Sequence, residues 1–345
     1  MEVTFWGSSN QARVSAWGHP RTSKLGRLIT ISDGKKRHFI DRTLGDLTKL
    51  KSIYVADNKD ASQKTLAKAS VSVPSGVSVN AKQRNRLSQF LSRSTASRFV
   101  VKPSISTMAK DFHGGLSKDA VQRVVEKANW DTSIVQEHID GYEFRVYVVG
   151  GKVAGAYKRP GAYVTGNGKD SVARLITDRN RRKQSNPMEA PRPIELARVA
   201  MYLAQSGKTL DFVPVLGQQF RTGITISQEG GAVTIGGRET VPEFIAREAI
   251  DACEAIGLPN AGVDVLVGDN KAYILECNAR ASILRHSFPE YGDSSGNAIA
   301  EAIVDFYFPQ SGPIDRNANL RIDIAALKRA FEDSGTATKH VAQVL

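Results

Sequence analysis

Three side chains with hard oxygen donors stand out first: Asp264, Glu276 and Asn278. Val263, Val265 and Val267 alternate with other residues, Gly268-Asp269-Asn270 carries turn chemistry, and Tyr273-Ile274-Leu275 returns as a second apolar run. The stretch from Gly262 to Arg280 therefore reads as a strand hairpin. Closing it at that turn brings Asp264 near Glu276 and Asn278 at the open end, and the strand period of two points Glu276 and Asn278 the same way. Such a donor set suits one or two Mg²⁺ ions that also hold phosphate oxygens. The plainer alternative is a hairpin whose polar residues face water.

Other stretches carry complementary chemistry. Arg98-Phe99-Val100-Val101-Lys102-Pro103 reads as a buried strand whose lysine, fixed just before a proline, needs an anionic partner. Ser133 to Val149 gives a strand, a break at Gly141 and a second strand. An exposed backbone edge over Gln136, Glu137, His138 and Ile139 can present the N–H and C=O pattern that adenine reads, and Glu143 beyond the break can accept two ribose hydroxyls. His138 itself reads as a packing or solvent residue. After a Gly150-Gly151 turn, Lys152 to Arg159 returns as a strand ending in two cations, Lys158 and Arg159.

With Leu275-Glu276-Cys277-Asn278-Ala279-Arg280 around its last two members, the pattern Asp-x(11)-Glu-x-Asn resembles the metal-binding signature of the ATP-grasp carboxylate-amine ligases. Within that family, the run from Gly151 to Ile176 is most similar to the ATP-grasp parts of cyanophycin synthetase and bifunctional glutathione synthetase. The likeness extends over most of the chain. It implies that Lys102 meets the α- and β-phosphates and that either Lys59 or Lys64 reaches the nucleotide, although a solvated helix-face lysine is an equal reading for each taken singly. Lys158 or Arg159 would steady the γ-phosphate as an acyl phosphate forms, while Gly161, Gly166 and Gly168 let their loop close. Arg221 with Gly236-Gly237, and Arg238 as a second candidate, would hold the acceptor side. Arg280 would touch phosphate or a substrate carboxylate. One departure is the loop from Ser104 to Gly115, where Ser106, Thr107 and Lys110 replace the usual glycines.

What the resemblance implies is an ATP-dependent ligase that phosphorylates a carboxylate and lets an amine attack it, forming an amide or peptide bond and releasing ADP and phosphate. Its cofactors would be ATP and Mg²⁺, two ions, which Mn²⁺ can replace; its substrates would be amino acids, peptides or amines, and a homodimer is expected by analogy. Three other classes remain open: a ligase acting on a protein terminus or nucleic acid, an ATP-grasp kinase, and a nucleotide-binding module without catalysis.

The elements that must position these residues suggest an α+β ATP-grasp fold, two sheet-bearing lobes clamping ATP. Residues 1–56 read as a shortened N-terminal α/β pre-grasp segment, 57–140 as the small lobe, 141–310 as the large lobe with the metal site, and 311–345 as a tail. Short strands are expected at Val3-Thr4-Phe5-Trp6, at Arg27 to Ile31, at His38-Phe39-Ile40 after an Asp33-Gly34 turn, and at Ile53-Tyr54-Val55-Ala56. Helices are expected from Lys59 to Ala69, Ser117 to Asn129, Glu195 to Ser206, Val241 to Ala255, and Ala298 to Phe306 capped by Ser294 to Asn297. A further amphipathic segment runs from Ile322 to Phe331. A strand ending at Pro74 should follow the first helix. The cations from Asp178 to Lys183 read as a mobile loop at the mouth of the site.

Hydrophobic residues make up 41% of the 345-residue chain and charged residues 24%, as in a globular protein. No apolar run approaches the roughly 20 residues of a membrane helix, and Met1 to Asn10 does not resemble a leader, so the expectation is a cytoplasmic protein without a membrane partner. Cys253 and Cys277 are too few for a disulfide framework or a zinc site. The net charge of +12 leaves nucleic acid open as a partner, yet an enzyme handling ATP and carboxylates gains equally from a positive field.

Overall fold

The computed structural model describes residues 2–6, 28–32, 35–80, 83–106, 111–159, 162–184, 193–223, 241–283 and 298–310. Several residues named above lie outside them: Asp33-Gly34, Thr107, Lys110, Gly161, Gly236-Gly237, Arg238, Ser294 to Asn297 and Ile322 to Phe331.

In chain order, β1 (Glu2–Trp6), β2 (Leu28–Ser32), β3 (Arg37–Asp41) and β4 (Leu44–Gly45) form an antiparallel meander. Helices α1 (Leu50–Asp57) and α2 (Lys59–Lys68) follow. The strand expected over Ile53 to Ala56 is corrected by α1. Ser52, Ile53 and Ala56 are buried while Tyr54 is 66% exposed, a helical stripe rather than an alternating one. Asn58 caps α2, its Oδ1 accepting from the N–H groups of Asp60 and Ala61.

The first lobe has a four-stranded antiparallel sheet ordered β5 (Gly76–Val79), β8 (Ser133–Glu137), β6 (Phe99–Pro103), β7 (His113–Leu116). Helices α3 (Arg84–Arg93) and α4 (Lys118–Lys127) contribute Leu87, Leu91 and Val121 to a core with Phe99, Val101 and Val135. The strand expected to end at Pro74 is also corrected, because β5 starts at Gly76. Ser72 is instead held as a strap between elements: Glu248 accepts from its N–H at 2.9 Å and its hydroxyl at 3.0 Å, and its carbonyl accepts from the Ile274 N–H.

The second lobe is built on the antiparallel order β10 (Lys152–Arg159), β9 (Tyr142–Val149), β13 (Asn260–Gly268), β14 (Lys271–Asn278). Between these strands in sequence lie β11 (Tyr163–Thr165), α5 (Val172–Lys183), α6 (Leu196–Ala204), β12 (Gln219–Arg221) and α7 (Glu243–Ile256); α8 (Ala298–Tyr307) comes last. One face of the large sheet, with Phe144, Val146, Val263, Val265 and Ile274, packs on α7 and on Ile53, Leu66 and Val71. Residues 50–71 thus share the large-lobe core. The opposite face gives Tyr147, Val149 and Tyr157 to a core with α8 and with Ile31 and Ile40 of the N-terminal meander.

The pair β11 and β12 forms its own small core with α5 and α6 through Val164, Ile176, Leu203 and Phe220. The mobile loop expected over Asp178 to Lys183 is corrected here, since those residues form the C-terminal half of α5. Ser171 caps the helix, and Val172, Ile176, Arg179 and Lys183 recur at helical spacing on its buried side. The Arg179 Nη1 donates to the Tyr163 carbonyl at 2.7 Å. No described helix is long and apolar enough to cross a membrane, and Cys253 and Cys277 are free and buried.

The lobes join at Gly141, which lies so close to the large sheet that an added Cβ would stand 2.0 Å from the Val267 carbonyl oxygen. Backbone cannot yield as a flexible side chain would, so Gly141→Ala should destabilise the protein by about 1–3 kcal/mol in urea titration. An unchanged midpoint would show that the junction has slack.

Candidate active site

The hairpin forms as its pattern suggests. Asp269 and Asn270 have φ of 51° and 56°, as a two-residue type I′ turn requires, and β14 pairs Asp264 with Glu276 and Gly262 with Asn278. A bulge between the Asp264 and Val265 pairs leaves Leu275 without an opposite residue. That extra residue restores parity: Ile274 and Cys277 both enter the core, and Glu276 joins Asp264 on the other face.

The ladder then lines up polar side chains across all four strands. Tyr157, Arg145, Asp264 and Glu276 form one row, with Gly155, Tyr147, Gly262 and Asn278 beside it on one flank and Arg159, Glu143 and Leu266 on the other. Arg145 grips Asp264 through two bonds, Nε to Oδ1 at 2.6 Å and Nη2 to Oδ2 at 2.8 Å. Arg159 adds a third contact at 3.3 Å, lies 3.6 Å from Glu143 and donates to the Tyr157 hydroxyl at 3.0 Å. Gly262 makes room for this, because a Cβ there would meet Ala281 at 2.4 Å and Arg145 Nη1 at 3.1 Å. Burial pushes the Asp264 carboxyl up, but Arg145 and Arg159 outweigh it and hold the group below the usual carboxylate range. Glu143 is pushed up by burial, which its Arg159 neighbour opposes.

Phe99 and Val101 enter the small-lobe core, so the period of two turns Lys102 to the opposite sheet face. Lys102 has no hydrogen-bond or ion-pair partner among the described residues. Burial, and then the nearby Lys59, depress it to about 8 against the opposing pull of Glu276 and Glu143. Lys59, only 8% exposed at the start of α2, donates to the Ser106 carbonyl at 2.7 Å and sits 3.5 Å from a Glu276 oxygen. A buried and a half-buried lysine close together repel one another; an anion between them and the carboxylate row would relieve that repulsion.

Glu276 and Asn278 offer hard oxygens to a divalent ion, and Asp264 lies beside them with both oxygens accepting from Arg145, Arg159 and Asn278. Asn278 turns its Nδ2 to Asp264 at 3.2 Å, leaving its Oδ1 as the free donor. No group of three His, Cys, Asp or Glu side chains suited to a metal occurs among the described residues.

Other expected positions lie elsewhere. Lys158 projects from the opposite face of β10, its Nζ 3.9 Å from the Tyr142 ring centre, while Lys64 pairs with Asp60 on the surface. The open backbone edge expected over Gln136 to Ile139 is corrected at its start: β8 is an inner strand, and the N–H groups of Glu137 and His138 donate to Ser75 and Arg98. The Gln136 side chain donates to the Pro74 carbonyl and Glu137 accepts from Ser94. Ile139 lies past the ladder, against Gly268. Arg221 is exposed on β12, with its Nε donating to the Gly223 carbonyl. Arg280 is tied to Asp41. Sequence reading passed over Arg145, although alternation from Glu143 was signal enough to put it on the same face.

No family model matches the chain. The two antiparallel sheets and the helices packed on them form an α+β architecture of the ATP-grasp type, and the chain is similar in sequence to two kinds of biosynthetic enzyme. Cyanophycin synthetase of Nostoc sp. is 27% identical over 306 residues, covering 83% of this chain and 33% of that protein. The glutathione biosynthesis bifunctional protein GshAB of Streptococcus thermophilus is 28% identical over 275 residues, covering 73% of this chain and 35% of that one. The chain thus spans about a third of the length of the curated relatives it matches. Among solved structures, the bifunctional glutathione synthetase from Pasteurella multocida superposes with a TM-score of 0.57 at 21% identity, covering 82% of this chain and 40% of the other.

Lys102 should lower the stability of the ligand-free protein. Its charge is costly in the fold below about pH 8, and the cost fades as pH rises from there to its unfolded value near 10.5. Lys102→Met, which keeps the apolar stem, should stabilise the protein by about 1–3 kcal/mol at pH 7, a gain that shrinks above pH 8. A destabilised variant at pH 7 would show that Lys102 has a structural partner.

Proposed function

We propose that the chain is an ATP-dependent carboxylate-amine ligase that forms an amide or peptide bond through an acyl phosphate. The observation that carries this reading is the unpaired, depressed Lys102 beside Lys59, set against a row of carboxylates. Electrostatics of that kind suit a polyphosphate whose terminal group is transferred.

In this reading Lys102 and Lys59 would pair with the phosphates of ATP and Glu143 with its ribose. Glu276 and Asn278, with Asp264 beside them, would hold Mg²⁺, which when bound would neutralise phosphate charge. Arg159 and Arg145 face the transferring group from the large sheet. A substrate carboxylate oxygen attacks the γ-phosphorus and the bond to the β-phosphate oxygen breaks, releasing ADP. The amine then attacks the acyl carbon and phosphate departs with the electron pair of the broken C–O bond. The amine proton passes to phosphate or solvent, so no protein base is required.

Relatives named for cyanophycin and glutathione synthesis support amino acids and peptides as the substrate class. ADP and phosphate release should be stimulated by one of several pools of amino acids, dipeptides and amines, with a matching amide mass. Glu276→Ala should lower that rate by about 100-fold or more. ATP turnover that ignores every acid and amine, or that survives Glu276→Ala, would end the ligase reading.

A further inference from the structure

The carboxyl of Asp264 is already fully engaged. Its Oδ1 accepts from Arg145 Nε at 2.6 Å and from Arg159 Nη1 at 3.3 Å, and its Oδ2 accepts from Arg145 Nη2 at 2.8 Å and from Asn278 Nδ2 at 3.2 Å. An ionised carboxylate offers about four lone pairs, two on each oxygen. All of them face donors of the protein, three on guanidinium nitrogens. A divalent ion taking Asp264 as a ligand would have to push a guanidinium aside. The displaced charge would then stay buried next to the ion, because the Arg145 and Arg159 side chains are only 12% and 13% exposed, and crowded like charges repel strongly away from water.

The grip is built into the strands. Arg145 stands opposite Asp264 in the pairing of β9 with β13, and a Cβ on Gly262 would come within 3.1 Å of Arg145 Nη1 and 3.2 Å of its Cδ, so the glycine keeps open the space that the arginine fills. Glu276 and Asn278 are differently placed. Glu276 is half-buried, and its one ion-pair contact among the described residues is Lys59, 3.5 Å from Oε1. Asn278 is half-buried too, and with Nδ2 turned to Asp264 its Oδ1 is left for a ligand. Two positions apart on β14, the pair shares one sheet face.

We propose that the chain supplies ligands for one divalent ion, through Glu276 and Asn278, and that Asp264 is the anchor of Arg145 and Arg159 rather than a metal ligand. This rests on the reading of the site as one for ATP and Mg²⁺, and it departs from the two ions and three ligands that the resemblance implies. Asp264 then acts on the transferring group only through the two arginines it orients.

Mn²⁺ bound per chain should be counted by electron paramagnetic resonance, with and without a non-hydrolysable ATP analogue, for the wild type, Asp264→Asn and Glu276→Gln; thermal midpoints report folding. The wild type should bind one ion in the presence of the analogue. Asp264→Asn should keep that ion with Kd raised by less than about tenfold, the cost of disturbing a ligand's neighbour, while Glu276→Gln should raise Kd by about 100-fold or more. Asp264→Asn should also lower the thermal midpoint further than Glu276→Gln, since it leaves two buried guanidinium groups without their shared carboxylate. If Asp264→Asn does not fold, the wild-type count carries the test. Two ions per nucleotide-loaded chain, or none, overturns the inference, as does an Asp264→Asn chain that loses ion binding as badly as Glu276→Gln. If no nucleotide binds, the order of the variants on the ligand-free chain decides. ADP release with no pool of acids and amines would end the ligase reading and leave the ion count standing.

Discussion

The contact on which the large lobe's polar face depends is the grip of Arg145 on Asp264. A carboxylate buried on a sheet face must be paired, and one left alone after loss of its partner costs about 3–5 kcal/mol. Two parallel bonds fix the carboxyl plane, and Arg159 reaches the same carboxyl from the next strand. With Asp264 immobile, Asn278 is oriented by its Nδ2 contact and Glu276 stands directly opposite. The same face becomes apolar within a residue or two, at Tyr147 and Tyr157. One surface thus carries the polar row at one end and the packing surface for α8 and the N-terminal meander at the other.

The small lobe supplies the opposing sign. A strand that buries Phe99 and Val101 has no choice but to turn Lys102 the other way, and desolvation does the rest. Lys59 reaches the same region from α2, which packs on the large lobe, so the two lysines come from opposite sides of the interlobe junction. A group bound between them would draw on both lobes at once, which is how two sheets joined at Gly141 can respond together to one ligand.

The N-terminal meander is more than a cover. Its β3–β4 turn spans 236 residues of sequence to hold the Ala279 carbonyl through Thr43, and it provides the partner of Arg280.

The hairpin, the Lys102 strand and the order of most helices were legible because each rests on local rules: alternation, turn residues and caps. Glu143 and Arg145 differ by two positions, so even the missed arginine was implied by alternation. Local rules failed where a short run was ambiguous, as at Ile53 to Ala56, or where a charge-rich stretch hid a buried side, as in α5. Lys158 and Arg159 show the limit most clearly. Adjacent residues on a strand face opposite ways, and only the pairing of β10 with β9 decides that Arg159 meets Asp264 while Lys158 lies on Tyr142. The sequence by itself determined the donor types and their spacing along each strand; the tertiary structure alone decided which strands adjoin, that a bulge at Leu275 sets Glu276 beside Asp264, and that Arg280 is oriented by Asp41. Side-chain identity is local information, whereas register and long-range contact arise from packing between segments that are distant in the chain.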